Sequence, residues 1–242
     1  VFFSAPTGAE TTSTLSGAEI QGRQLAQQLC EAQPTVNFTN TGVLLIRDAG
    51  RATTPVPVKF ETIVTETGWL NIYETISNSN NVQTVLKVEH GNAVPNQYQT
   101  ENKTAADVVT RGHGWFTADS RLFTPFAGSD FWLCDLGLEF FHWPEQKVLP
   151  NPTSLKRGRS YTLLESTNPS PSTNGYSRVL SWIDRETGGI LQAEAYDPQG
   201  RRLKEFMPKS FKKVNGQWEI QEMEIDNIQT GSRTRLEFDL KK

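Results

Sequence analysis

Residues Tyr176–Lys242, YSRVLSWIDRETGGILQAEAYDPQGRRLKEFMPKSFKKVNGQWEIQEMEIDNIQTGSRTRLEFDLKK, form the stretch that decides the fold. Four tight-turn signals divide it: Glu186-Thr187-Gly188-Gly189, Asp197-Pro198-Gln199-Gly200, Val214-Asn215-Gly216-Gln217 and Gln229-Thr230-Gly231-Ser232. The runs between them alternate with period 2, the pattern of hairpin-linked strands with one buried and one wet face. The stretch therefore predicts an antiparallel meander. It carries no catalytic punctuation, which suits a container or a platform better than an active-site scaffold.

Working outward, the upstream sequence repeats the pattern. Phe38–Arg47, Val56–Glu66, Gly68–Ser77 and Val82–His90 read as strands, with Asn78-Ser79-Asn80-Asn81 as a turn between the last two. In the second, Val58, Phe60, Thr62 and Val64 oppose Lys59, Glu61, Ile63 and Thr65. One helix precedes them, Gly17–Ala32. Ser16 and Glu19 have the spacing of a capping box, and Ile20, Leu25 and Leu29, with Ala18, Ala26 and Cys30, give an apolar stripe at helical spacing. Pro34 forbids its continuation. Residues 1–15, rich in Ser, Thr, Ala and Gly, read as a loose leader, and 16–242 as a single domain on one large sheet. Val94–Asp119 is polar and shows no clean period. Ser160–Ser166 is a further strand, and the Pro/Ser-rich loop Asn168–Gly175 follows it.

One segment stands apart. Of the 22 residues Phe123–Pro144, twelve are Phe, Trp, Leu, Cys or Ala. Ser129 or Asp130 can cap a helix that Pro144 ends. Its apolar residues cover most of the circumference, so it is either buried in the core or set over an apolar cavity. Under the second reading Phe131, Trp132, Leu136, Phe140, Phe141 and Trp143 are the cavity or lid residues.

Charge excludes one function class. With 24 basic and 27 acidic side chains and a net charge of -3, the chain lacks the basic excess that a nucleic-acid binder needs. Arg201-Arg202-Leu203-Lys204, followed by Lys209, Lys212 and Lys213, is a local exception. It reads as a solvated face of two strands, or as a docking patch for anionic headgroups or an acidic partner. No apolar run approaches the ~18 residues of a membrane-spanning helix. The apolar start Val1–Pro6 is compatible with the end of a processed signal peptide.

Chemistry-bearing motifs are scarce. Cys30 and Cys134 are too few and too distant for a zinc site, and read either as one bridge or as two buried thiols. His90, His113 and His142 fall in no metal-ligand spacing. No nucleophile elbow or phosphate-binding glycine loop occurs. Glu222, Glu224 and Asp226 share one strand face against Met223 and Ile225, which reads as acidic outside and apolar inside rather than as an acid/base pair. Asn37-Phe38-Thr39 and Asn102-Lys103-Thr104 match the short glycosylation pattern.

An ordered set of short pieces resembles the LolA-like superfamily of outer-membrane lipoprotein-sorting proteins. They are Gly128-Ser129-Asp130-Phe131 with Leu136, then Tyr176–Asp184, Ala193–Gly200, Trp218–Ile225 and Thr234–Phe238, with the helix and Gly42-Val43-Leu44 at the front. The resemblance implies a mainly β (α+β) fold: a large curved antiparallel sheet, an incomplete β-barrel, covered on its concave side by helices. It implies an apolar cavity for lipid acyl chains or lipoprotein, a periplasmic location behind a removed signal peptide, and transient docking to a membrane or acceptor protein. It implies no catalytic residue, no metal and no cofactor. A non-transporting envelope interaction module is the alternative. An enzyme, which would need His113 or the acidic strand in a pocket, is the remote one.

Overall fold

The computed structural model describes residues 15–50, 52–76, 83–91, 94–103, 111–112, 114–117, 119–153, 155–214 and 217–240. The leader to residue 14, the Asn78–Asn81 turn, Thr104, His113 and the Asn215-Gly216 connection lie outside them. Among the described residues thirteen strands form one sheet, and every neighbouring pair is antiparallel.

The first six are β1 (Phe38–Arg47), β2 (Thr53–Val64), β3 (Gly68–Thr75), β4 (Gln83–Gly91), β5 (Val94–Lys103) and β6 (Arg111–Gly112). They form a meander that runs outward from the middle of the sheet to one edge. The other seven are β7 (Glu145–Leu149), β8 (Tyr161–Thr167), β9 (Arg178–Asp184), β10 (Ile190–Tyr196), β11 (Arg202–Val214), β12 (Gln217–Asn227) and β13 (Arg233–Phe238). These start at the opposite edge and return inward, until β13 pairs with β1 from Gly42↔Phe238 to Arg47↔Arg233. β6 and β7 do not pair, so the sheet is open rather than a closed barrel.

The predicted hairpins fall where the turn chemistry put them. Gly188, Gly200 and Gly231 have φ of 72°, 75° and 75°, the left-handed region that costs a glycine nothing. Register then gives the sheet one continuous inner face. Leu44 lies opposite Leu236, which lies opposite Met223. Ile225 lies opposite Phe206, Phe206 opposite Ala193, and Ala195 opposite Val179.

Strand β5 is where the sequence pattern misled. It is a ten-residue strand inside the stretch without a clean period. Its buried side chains are Asn96 and Tyr98, with Gln97 exposed between them. The alternation exists, but its buried face is polar because it hydrogen-bonds to the chain that crosses it.

Helix α1 (Gly17–Cys30) has the predicted capping box. Glu19 Oε2 accepts from the Ser16 N–H at 2.7 Å, and the Glu19 N–H donates to Ser16 Oγ at 3.3 Å. The helix stops at Cys30, two residues before the predicted end. Its stripe is also rotated: Gly22 and Ala26 are buried, whereas Ile20 is 46% exposed. The cause is a close approach to β7, since a Cβ on Gly22 would lie 2.5 Å from the Lys147 nitrogen. α1 thereby covers an edge strand that would otherwise present unpaired backbone.

The aromatic segment is not one helix. It contains 3-10 turns at Ser120–Phe123, Phe126–Gly128 and Glu139–His142 and a short helix α2 (Leu133–Gly137). Neither Ser129 nor Asp130 caps it; Asp135 Oδ2 instead accepts from the Trp132 N–H at 2.8 Å. Leu138 breaks any continuation, at φ 51°. A chain that must travel between the two edges of a wide sheet cannot do so as a single short rod, and it turns repeatedly. Among the described residues no helix is long and apolar enough to cross a membrane.

Candidate functional site

The crossing segment is fastened to the inner face at points far apart in the sheet. The Asp130 carboxylate accepts from Ser232 Oγ at 2.6 Å and Thr234 Oγ1 at 2.9 Å, in and beside β13. Tyr73 on β3 donates to the Leu136 carbonyl at 3.1 Å. Asn96 on β5 donates to the Gly137 carbonyl at 2.8 Å. Gly137 is required there, because a Cβ would lie 2.1 Å from the Tyr98 hydroxyl oxygen.

Between the segment and the sheet lies a cavity of about 430 Å³. The segment contributes Phe131, Leu136, Phe140 and Phe141, and α1 contributes Leu29. Trp69 and His90, on β3 and β4, face Val179 and Ala193, on β9 and β10, across the same space. β4 and β9 are eight places apart in the sheet order, roughly 38 Å if flat at ~4.8 Å per strand. The sheet must therefore curl for both to line one small cavity. Leu138, Gly188, Gly189 and Ile220 are exposed lining residues and mark its mouth.

Four of the six segment residues singled out from the sequence thus line the cavity. Trp132 and Trp143 do not. Trp132 stacks on Tyr176 at 4.7 Å and 19°, and Trp143 lies edge-on to Phe140 at 6.4 Å.

Residues not expected at the site supply its polar corner. Lys204 is 1% exposed, which removes it from the solvated basic run predicted for 201–204. Its ammonium donates to the Asp130 carbonyl at 2.6 Å, reaches Asp135 Oδ2 at 3.4 Å, and lies 3.5 Å from the Trp132 ring centre. Burial lowers its pKa, against the pull of Asp135, Cys134 and Asp130. Asp135 also accepts from the Tyr176 hydroxyl at 3.0 and 3.1 Å. Strand parity held the signal: Lys204 and Phe206 are two residues apart and share a face. Arg201, Arg202 and Lys209 of the basic run are outside and paired, Arg201 with Asp197, Arg202 with Glu194 and Glu205, and Lys209 with Glu224.

His90 stacks on Trp69 at 4.6 Å and 10°. Asn71 accepts from Thr62 Oγ1 at 2.8 Å and turns its amide nitrogen toward His90 Nε2 at 3.1 Å, which makes that ring nitrogen an acceptor. Burial, then the nearby His142, pushes the His90 pKa down to about 4, so the ring is neutral at pH 7. Behind the cavity, Glu139 is 1% exposed. Its Oε2 accepts from the Tyr98 hydroxyl at 2.9 Å and the Asn96 amide at 3.1 Å. Burial raises its pKa to about 7.

Cys30 and Cys134 are free thiols, and burial pushes both upward, Cys30 to about 12. Among the described residues no His, Cys, Asp and Glu group could hold a metal. Glu224 lies on the face away from the cavity, as the alternation predicted. It is nonetheless only 1% exposed, covered by Lys209 at 3.2 Å and Arg235 at 3.1 Å.

This open antiparallel sheet with few helices is a LolA-like fold. Three solved structures share it. A domain described as an outer-membrane lipoprotein-sorting protein, from Vibrio parahaemolyticus, superposes with a TM-score of 0.73 at 18% identity, covering 92% of each chain. A DUF1329 family protein from Desulfovibrio piger gives 0.72 at 17% identity, covering 93% of this chain and 92% of its own. A LolA superfamily protein from Nitrosomonas europaea gives 0.63 at 15% identity, covering 90% of this chain and 91% of its own. No curated protein sequence matches the chain. A family model described as "Uncharacterized protein" matches residues 117–241, just over half of the chain, and the chain belongs to that family.

Proposed function

We propose that this protein is a non-catalytic periplasmic carrier that holds lipid or lipoprotein acyl chains for sorting to the outer membrane. In this reading α1 and the crossing segment cover the concave side of the sheet, and Phe131, Leu136, Phe140 and Phe141 are the ligand-binding wall. The observation that carries it is the cavity itself, open at Leu138 and Ile220 and walled mainly by apolar side chains. Each methylene moved from water into such a space gains ~0.8 kcal/mol. A chain of a dozen carbons is then held without covalent chemistry. The polar lining side chains strengthen the reading. Lys204, Asp135, Tyr176, His90 and Asn71 each have an internal partner, so the cavity is best matched by hydrocarbon.

Organic extraction of natively purified protein followed by mass spectrometry tests this, together with titration of a fluorescent fatty acid. Co-purified acyl lipid and saturable uptake are expected. Recovery of a protein partner with no lipid and no uptake would instead favour an envelope interaction module on the same fold.

A further inference from the structure

The two longest strands of the second meander outrun their neighbours. β10 pairs with β11 only between Arg202 and Phe206, and β13 pairs with β12 only between Glu222 and Asp226. Beyond those limits Phe211–Val214 and Gln217–Ile220 pair with each other alone among the described residues. They form a two-stranded arm. Register shifts at Pro208/Ser210 and Ser210/Phe211 mark where it leaves the sheet, and such bulges bend a strand and increase its twist. A bare two-stranded ribbon is marginal in water, so an arm of this kind has reason to meet another surface.

Its chemistry says which. Phe211 lies opposite Ile220, and they are 50% and 36% exposed. Ile220 lines the mouth of the cavity, so the arm is continuous with the opening. Lys212 and Lys213 follow Phe211 directly. Lys213 is exposed and on the Phe211 side by strand alternation. The Lys212 ammonium rests on the Leu240 carbonyl. The facing strand carries Glu219, opposite Lys212, and Glu222, next to the sheet.

We propose that this arm docks the cavity mouth onto an anionic lipid surface. Phe211 and Ile220 enter the headgroup boundary, and Lys213, on their side of the arm, faces the lipid phosphates. A bilayer supplies both complements side by side, hydrocarbon for the apolar pair and negative charge for Lys213. The proposal rests on the carrier reading for its purpose: an acyl chain leaving past Ile220 would pass directly into lipid.

Flotation of the protein with vesicles of phosphatidylcholine containing a quarter phosphatidylglycerol tests it, with fluorescent fatty-acid uptake measured in parallel. The wild type is expected to float. Phe211→Glu is expected to weaken vesicle binding at least tenfold, and Lys213→Gln about fivefold on anionic vesicles only, both with fatty-acid uptake intact. A wild type that stays in solution overturns the proposal, and so do both variants floating as well as the wild type. Capture of a protein through the arm without vesicle binding also overturns it. Arm-dependent flotation in a protein that takes up no fatty acid supports the docking surface and removes the carrier reading, so the two failures are separable.

Discussion

The Lys204 ammonium lies 3.5 Å from the centre of the Trp132 ring, on a side chain that is 2% exposed. It joins β11 to the crossing segment through three groups at once: the Trp132 face, the Asp130 carbonyl and the Asp135 carboxylate. A buried cation held in this way is strongly destabilising to remove, because the facing carboxylate loses its counter-charge. Lys204→Met is therefore expected to lower the unfolding free energy by about 3 kcal/mol in urea denaturation. Adding Asp135→Asn should recover much of the loss, and an additive double variant would show that the pair is not coupled.

Glu139 and His90 give opposite pH dependences. The Glu139 pKa rises from 4.5 to about 7 on folding. Below pH 4.5 both states are protonated. Above it the unfolded state ionises first, so stability falls as pH rises toward about 7. Glu139→Gln, which keeps an acceptor for Tyr98 and Asn96, should abolish that fall. It should leave the variant more stable than wild type at neutral pH by a few kcal/mol. Urea midpoints at pH 4.5 and 7.5 give the comparison.

For His90 the sign reverses. Its pKa falls from 6.5 to about 4 on folding, so its contribution is present above pH 6.5 and is lost as the pH drops toward 4. A proton NMR titration should find the His90 ring neutral down to about pH 5, and an inflection near 6.5 would contradict the buried stack on Trp69.

Gly22→Ala separates helix propensity from packing. In a free helix the change gains ~1 kcal/mol. Here the new Cβ would lie 2.5 Å from the Lys147 nitrogen, and α1 has to move off β7. Net destabilisation of about 1–3 kcal/mol is expected, with faster hydrogen exchange in Glu145–Leu149. A stabilised protein would mean that the contact is slack.

Ala193 is buried on the cavity wall opposite Phe206. Ala193→Phe should fill part of the space and weaken fluorescent fatty-acid uptake at least tenfold, with a stability change of about 1–3 kcal/mol at most. Unchanged uptake would place the ligand elsewhere.

Much of the sheet was legible in advance. β1 runs over Phe38–Arg47 as the alternation predicts, and the glycine turns at 188, 200 and 231 are where the strands reverse. β5 was not legible, because its inner side chains are Asn96 and Tyr98, polar groups whose partners Gly137 and Glu139 lie some forty residues away. The aromatic segment was recognisable by composition. Its broken path was not, since Leu138 takes a left-handed conformation that no local pattern announces. Lys204 looked like part of a wet basic run, and only the parity it shares with Phe206 hinted otherwise.

The sequence by itself determined the strands that alternate and the glycine turns between them, because alternation and a positive φ at glycine are set by nearest neighbours along the chain. The tertiary structure alone decided that β13 closes on β1, that strands eight places apart share one cavity, and that a lysine lies buried beside it. Those outcomes depend on the sheet curling under a segment that crosses from edge to edge. The contacts that fix that path join residues as far as 104 positions apart, such as Asp130 and Thr234.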